Sequence, residues 1–287
     1  MSEKFDFSPE AVARLAASDV ARALAEDVGE GDLTAGLIDA NRRAQALIVA
    51  RESAVTCGGP WVVAAVRALD PAATITWAVP EGRRCAVGQA VVEIRGSARA
   101  LLTAERTALN FLQLLSGVAT KTAIYVEAVK GTRAQIVDTR KTLPGLRLAQ
   151  KYAVRTGGGT NHRIGLYDAV LIKENHIAAA GGVTAVLRAA QDVAAGASFV
   201  EVEVETLAQL EEALGAGAKM VLLDNMDLPT LREAVRINAG RAILEISGGV
   251  TLERLRELAE TGVDRISIGT LTKDVKATDF SMRFKDL

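Results

Sequence analysis

After Gly131 the chain settles into a rhythm that few folds accept. Six short apolar runs, at 134–137, 169–172, 199–204, 220–223, 242–246 and 265–268, alternate with amphipathic stretches at 146–155, 183–193, 207–214, 228–237 and 252–259. Continuous apolar strands separated by helices predict a parallel sheet covered on both faces, because each strand must bury both of its own. The residues that close the strands choose between a barrel and an open, doubly wound sheet. They read Asp138-Thr139-Arg140-Lys141, Lys173-Glu174-Asn175-His176, Glu203, Asp224-Asn225, Glu245 followed by Ser247-Gly248-Gly249, and Gly269-Thr270. Polar endings on every strand predict a (β/α) barrel, whose C-terminal edge is its functional mouth. An open sheet concentrates its ligand groups at a single switch point instead.

The first part of the chain has no such rhythm. Ser8-Pro9-Glu10 predicts a helix start, with Ser8 as cap and Pro9 in the first turn, running to about Glu26. The acidic, turn-rich stretch Glu26 to Thr34 predicts a surface loop. Strands at 44–50, 74–79 and 90–94, with a helix at 61–69, predict a small α+β domain built on an antiparallel sheet. A long helical stretch from Ala98 to Gly131 then bridges to the barrel and carries Glu105-Arg106-Thr107-Ala108-Leu109-Asn110. A length of 287 residues accommodates two such domains.

The formal net charge is −1, which argues against a nucleic-acid partner. No apolar run is long enough to span a membrane, and the N-terminal MSEKFDFSPE lacks the apolar core of a signal peptide. Cys57 and Cys85 are too few for a disulfide framework and predict reduced core thiols in a cytoplasmic protein.

Against that near-neutral background the stretch from Asp138 to His176 is sharply cationic. It holds Arg140, Lys141, Arg147, Lys151, Arg155, Arg163 and Lys173, and both histidines of the chain, His162 and His176. Arg147, Lys151 and Arg155 follow helical spacing and predict a solvated helix face. The others fall at strand ends or in loops, where they suit a ligand with several carboxylates or phosphates. Gly157, Gly158 and Gly159 predict a backbone that passes close to a bound group. Across the same mouth, Glu203 and Asp224 suit Mg²⁺ or ribose hydroxyls. Ser247-Gly248-Gly249 and Gly269-Thr270, at the last strands, suit phosphate held by backbone N–H donors. The expected substrates are therefore a sugar phosphate with Mg²⁺ and a second, strongly anionic compound.

The motifs DTRKT, GGGTNHR, DAVLIKENH, EVEVE, LLDN, EISGG and ISIG, together with EDVGEGDLT and ERTALN upstream, closely resemble the quinolinate phosphoribosyltransferases, over nearly the whole chain. The resemblance implies an N-terminal α/β sandwich domain at 1–115, to which a tail at 275–287 returns. It implies an incomplete, six- or seven-stranded TIM-like α/β barrel at 116–274 that carries the site. It implies phosphoribosyl transfer from phosphoribosyl pyrophosphate to quinolinate with decarboxylation, giving nicotinate mononucleotide, pyrophosphate and CO₂, with Mg²⁺ as cofactor. By the same resemblance Arg106, Arg140, His162, Arg163 and Lys173 hold the carboxylates of quinolinate. Lys141 lies between the two substrates, and Thr139 belongs to the same binding set. Glu203 and Asp224 meet the ribose hydroxyls and Mg²⁺, directly or through water or substrate. Ser247, Gly248, Gly249 and Gly269 grip phosphate. Lys141, Glu203 and Asp224 are the expected catalytic groups. The implied assembly is a homodimer with Arg106 donated across the interface, or a hexamer built of such dimers. The competing readings are a phosphoribosyltransferase for another aromatic acid and a non-catalytic barrel that binds a phosphosugar.

Overall fold

In the computed structural model, residues 6–285 are described. The chain forms two compact units, one from residues 6–123, 143–158 and 274–285, the other from residues 124–142 and 159–273. The extremes of the expected domains, 1–5 and 286–287, lie outside the described residues.

The first unit opens with α1 (Pro9–Val28), whose N-cap Ser8 Oγ accepts the N–H of Ala11 at 3.3 Å. Strand β1 (Arg43–Ala50), the short β2 (Ala54–Val55), α2 (Gly59–Leu69), β3 (Thr74–Trp77), the short β4 (Arg84–Cys85) and β5 (Ala90–Ser97) follow. The long helix α3 (Ala98–Ala128) begins directly after β5. Burial along β1 alternates, as an antiparallel strand with one face on a core requires. Cys57 and Cys85 are both free and buried.

The second unit begins in the last turns of α3. Strand β6 (Gln135–Val137) comes next, and then α4 (Arg147–Thr156), which groups with the first unit. From there strands and helices alternate: β7 (Val170–Ile172), α5 (Glu174–Ala180), α6 (Val183–Val193), β8 (Val200–Val204), α7 (Leu207–Gly215) and β9 (Met220–Asp224). Helix α8 (Leu228–Asn238), β10 (Ile243–Ser247), α9 (Leu252–Ala259), β11 (Arg265–Ser267) and α10 (Thr270–Lys273) complete it. All neighbouring pairs in this sheet are parallel, in the order β6-β11-β10-β9-β8-β7. The last strand thus pairs with the first, and every strand between follows chain order. That is the winding of an α/β barrel left open between β6 and β7, not the reversal of a doubly wound sheet. At the open edge Thr160 makes an isolated parallel bridge to Val137. The final strand, β12 (Phe280–Lys285), pairs antiparallel with β1 and completes a sheet ordered β12-β1-β5-β3 in the first unit. No helix among the described residues is long and apolar enough to cross a membrane.

Contact grouping divides the chain differently from the expected 1–115 and 116–274, with residues up to 123 and residues 143–158 in the first unit. Gly157 explains part of this: a Cβ there would lie 2.4 Å from Ala119 O and 2.8 Å from Thr122 Cβ. The glycine lets α4 lie against α3, and none of Gly157, Gly158 or Gly159 lines the pocket described below. Nor is the basic face of α4 solvated throughout, for Lys151 is fully buried alongside Gln150. Arg155 does face solvent and lies over the Phe7 ring, 4.9 Å from its centroid.

Candidate active site

A pocket of about 330 Å³ opens within the second unit. Thr139, Arg140 and Lys141 line it from beyond β6, His162 and Arg163 from the loop entering β7, and Lys173 from the end of β7. Glu203 of β8 and Ser247 of β10 face them, and Leu171, Leu222, Glu245 and Ser267 complete the wall.

Two aspartates shape the loop that presents His162 and Arg163. Asp138, fully buried at the end of β6, accepts the N–H of His162 on Oδ1 at 2.8 Å and Asn161 Nδ2 on Oδ2 at 2.6 Å. Asp168 accepts the N–H groups of Ile164 and Gly165, each at 2.8 Å. Such pinning lets an irregular segment hold one shape without strand or helix bonds. Lys173 is set differently. Its N–H donates to His176 Nδ1 at 3.0 Å, so the KENH motif is a strand-to-helix junction capped by its own histidine.

The electrostatics follow from crowding. Burial, and then the charge of Arg140, lowers the pKa of Arg163, while Asp168 and Glu201 oppose the shift. Two guanidiniums held near each other in a partly buried pocket favour an anion that bridges them. Lys173 Nζ lies 2.9 Å from Glu203 Oε2. Burial, and then the charge of Glu203, pushes the Asp224 carboxyl up. Carboxylates that repel each other beside solvent form a donor set suited to a hard cation, so Glu203 and Asp224 fit Mg²⁺ by their chemistry.

Asp224, Gly248, Gly249 and Gly269 do not themselves line the pocket. Three of them border residues that do or pack against one another. Asp224 is in register with Ser247 across β9 and β10. Gly248 has φ +89°, and a Cβ there would lie 2.5 Å from Asn225 Oδ1 and 3.3 Å from Asp224 Oδ1. Only glycine meets both demands cheaply. Asn225, itself at φ 52°, donates from Nδ2 to Asp224 Oδ2 at 2.9 Å. A Cβ at Gly269 would come within 2.9 Å of Lys141 Cδ. Gly249 is exposed, with nothing within 4 Å of a Cβ built on it. Arg106 is exposed on α3, in the first unit, and is not among the lining residues.

Beneath the cations lie Glu201, which the motifs did not single out, and Glu245, named above only as a strand ending. Glu201 and Glu245 are fully buried, with His162 and Arg265 beside them. Burial pushes both carboxyls up to about 7, and each receives a further upward push from a neighbouring carboxylate. Among the described residues His162, Glu201 and Glu245 are close enough to share a metal ion. Arg265, with Nε 2.9 Å from Glu245 Oε2, already brings positive charge to that place. The signal for Glu201 was present in EVEVE, since residues two apart on a strand share a face. Glu201 therefore points the way Glu203 does.

An α/β barrel whose pocket joins clustered cations and carboxylates suits a transferase that handles anionic, phosphorylated substrates. Residues 118–283 match the C-terminal domain, and residues 32–116 the N-terminal domain, of quinolinate phosphoribosyl transferase. The chain belongs to the quinolinate phosphoribosyltransferase family. It is 42% identical over 257 residues to a probable nicotinate-nucleotide pyrophosphorylase (carboxylating) of Bacillus subtilis, covering 90% of this chain and 89% of the relative. It is 43% identical over 273 residues to the nicotinate-nucleotide pyrophosphorylase (carboxylating) of Mycobacterium leprae, covering 92% and 95%. The solved nicotinate-nucleotide pyrophosphorylase of Francisella tularensis superposes with a TM-score of 0.93 at 40% identity, over 99% of this chain and all of that one.

Proposed function

We propose that this pocket is where the chain carries out its activity, that of a nicotinate-nucleotide pyrophosphorylase (carboxylating) in NAD biosynthesis, with the lining residues in defined roles. The observation that carries the proposal is the convergence of Arg140, Lys141, Arg163 and Lys173 on one pocket of about 330 Å³. Arg140, Arg163 and Lys173 hold the two carboxylates of quinolinate and fix its ring. Lys141, beside Gly269, sits between quinolinate and phosphoribosyl pyrophosphate. Ser247, Gly248, Gly249 and Gly269 receive phosphate, and Thr139 borders the same space. Glu203 and Asp224 face the ribose hydroxyls and are the residues that would hold Mg²⁺, which when bound neutralises the pyrophosphate.

The chemistry needs no nucleophilic side chain. The pyridine nitrogen attacks C1 of the ribose, and the C–O bond to pyrophosphate breaks with its electron pair. Carboxylates near the ribose favour the positive charge that builds there. The bond from the ring to the adjacent carboxyl then breaks, CO₂ leaves, and the quaternised ring accommodates the electron pair until that carbon takes a proton. Fixed carboxylate contacts align this second step.

The test is turnover of quinolinate against nicotinate with phosphoribosyl pyrophosphate and Mg²⁺. Quinolinate is used and nicotinate is not, because one carboxylate leaves desolvated cations without a partner, at a cost of roughly several kcal/mol. Turnover of nicotinate within about tenfold of quinolinate rejects the reading.

The proposed assembly is a homodimer, or a hexamer of dimers, in which Arg106 completes the pocket of the partner subunit. Arg106 is exposed, and it belongs to the unit that does not hold the pocket. Arg106→Ala and Lys141→Ala are each expected to be nearly inactive alone. Refolded together, they form hybrids in about half the dimers, each with one intact site, so about a quarter of wild-type activity returns. A mixture as inactive as its parents, with hybrids shown to form, means that Arg106 serves its own subunit.

A further inference from the structure

His162 lines the pocket, yet neither of its ring nitrogens offers a proton to it. Nε2 lies 2.8 Å from Glu201 Oε2 and 3.6 Å from Glu245 Oε1. Nδ1 accepts the backbone N–H of Arg163 at 2.8 Å. An N–H aimed at Nδ1 needs the lone pair of that nitrogen, so Nδ1 carries no proton. The ring proton is then on Nε2 and is donated to Glu201. The ring is buried, and its edge meets Phe199 with centroids 5.2 Å apart. The backbone is pinned on its other side, where the His162 N–H donates to Asp138.

We infer that His162 is a positioning residue rather than a ligand for the substrate's carboxylates: Glu201, backed by Glu245 and Arg265, locks the imidazole, and the imidazole fixes the backbone that carries Arg163. This rests on the reading of the pocket as a dicarboxylate site. The physical logic is a chain of hydrogen bonds that runs from Glu201 through the imidazole to Arg163. Glu201 takes the Nε2 proton, Nδ1 takes the Arg163 N–H, and the Arg163 guanidinium stands in the pocket with Nη1 3.4 Å from Ala169 O. A binding arginine a fraction of an ångström off line loses bidentate contact with a carboxylate. Glu245 and Arg265 keep the buried Glu201–His162 contact from resting on one uncompensated charge.

The chain has two histidines, so imidazole ¹⁵N spectra of the whole protein separate them, with His176→Asn giving the assignment. The expected His162 signature at pH 7.5 is a neutral ring protonated at Nε2, unchanged when quinolinate is added. A proton on Nδ1, or a tautomer that switches on quinolinate binding, overturns the inference. Kinetics gives the second readout. Glu201→Met, close in size but without an acceptor, is expected to raise KM for quinolinate about tenfold or more, with kcat and KM for phosphoribosyl pyrophosphate within about threefold. Glu201→Gln keeps an amide oxygen for the Nε2 proton and restores KM to within about threefold of wild type. Equal losses in the two variants, or a loss confined to kcat, overturn it as well. Should Glu201→Met fail to fold, the tautomer decides. The free-protein spectrum judges the lock by itself, whereas a wild-type protein that ignores quinolinate rejects the dicarboxylate reading instead.

Discussion

Glu81 and Glu245 are both carboxyls whose protons burial makes harder to lose, and they are held in opposite ways. In the first unit, Glu81 Oε1 accepts the N–H of Gly58 at 2.8 Å and the hydroxyl of Tyr152 at 3.1 Å. Its Oε2 accepts the N–H of Gly59 at 3.0 Å. Those bonds to backbone and hydroxyl donors oppose the upward push of burial. In the second unit, Glu245 is fully buried and draws mainly on charged or chargeable neighbours, Arg265, His162 and Glu201, with the Ser267 hydroxyl as a neutral donor. A carboxylate satisfied by fixed dipoles is a pin for the chain around it, and its energy does not depend on what binds nearby. A carboxylate balanced by charges feels every ion that enters the pocket above it. The first arrangement ties α4 to the α2 start of its own unit, and the second forms the floor of a binding site.

The largest effect expected from this contrast is on catalysis and spares stability. Lys173 is half exposed, and its ion pair with Glu203 contributes little to folding. Lys173→Ala is expected to lower kcat/KM by roughly 10²-fold or more, with the melting temperature nearly unchanged. A large fall in melting temperature, with activity per folded molecule intact, makes Lys173 a structural residue. Glu81→Ala is the mirror image. It strands three donors, so it costs about 2–3 kcal/mol in a denaturation experiment. Activity per folded molecule is expected to stay within about threefold of wild type. A Glu81→Ala protein as stable as wild type, or one that is folded and inactive, breaks the comparison.

The same contrast explains what could be read before the structure. The six barrel strands were legible because two-sided burial writes a continuous apolar run, and the ladder of polar residues at their ends marked the mouth. Helix α3 was legible as a long run of helix formers interrupted by Gly117. Helix α5 was not legible. It begins within KENH, immediately after β7, and its capping bond comes from His176, a residue that reads equally well as a ligand. The assignment of α4 to the first unit was hidden too, because it rests on long-range contacts at Gly157 and Tyr152 that no local pattern encodes. In the site, Arg140, Lys141, Arg163 and Lys173 were legible as cations where no helix face could hold them. Glu201 was masked by its own regularity, standing in an alternating EVEVE where a polar face is the ordinary expectation for a strand. Asn225 was named only as the neighbour of Asp224, and its bond to that carboxylate depends on a left-handed backbone that a sequence does not print.

The smallest expected effect tests the charge-balanced half of the comparison through pH. The folded-state pKa of Glu245 is raised by burial, and then by Glu201, to about 7, from an ordinary value of 4.5. A raised carboxyl binds its proton more tightly in the folded chain than in the unfolded one. Its contribution to stability is therefore fully present below about pH 4.5 and is lost as pH rises to about 7. Within that window the slope is on the order of 1 kcal/mol per pH unit at most, shared with the coupled Glu201. Glu245→Gln removes the titrating group and also relieves Glu201 of a like charge, and both changes act in the same direction. The stability of the variant relative to wild type should therefore increase from pH 5 to pH 7 and level off above pH 8, as followed by thermal denaturation at each pH. Glu81→Gln, in a site of fixed dipoles, is expected to show a shallower change over the same range. If the two glutamine variants track each other across the range, buried carboxyls held by charges and by dipoles respond alike, and the distinction between the two units fails.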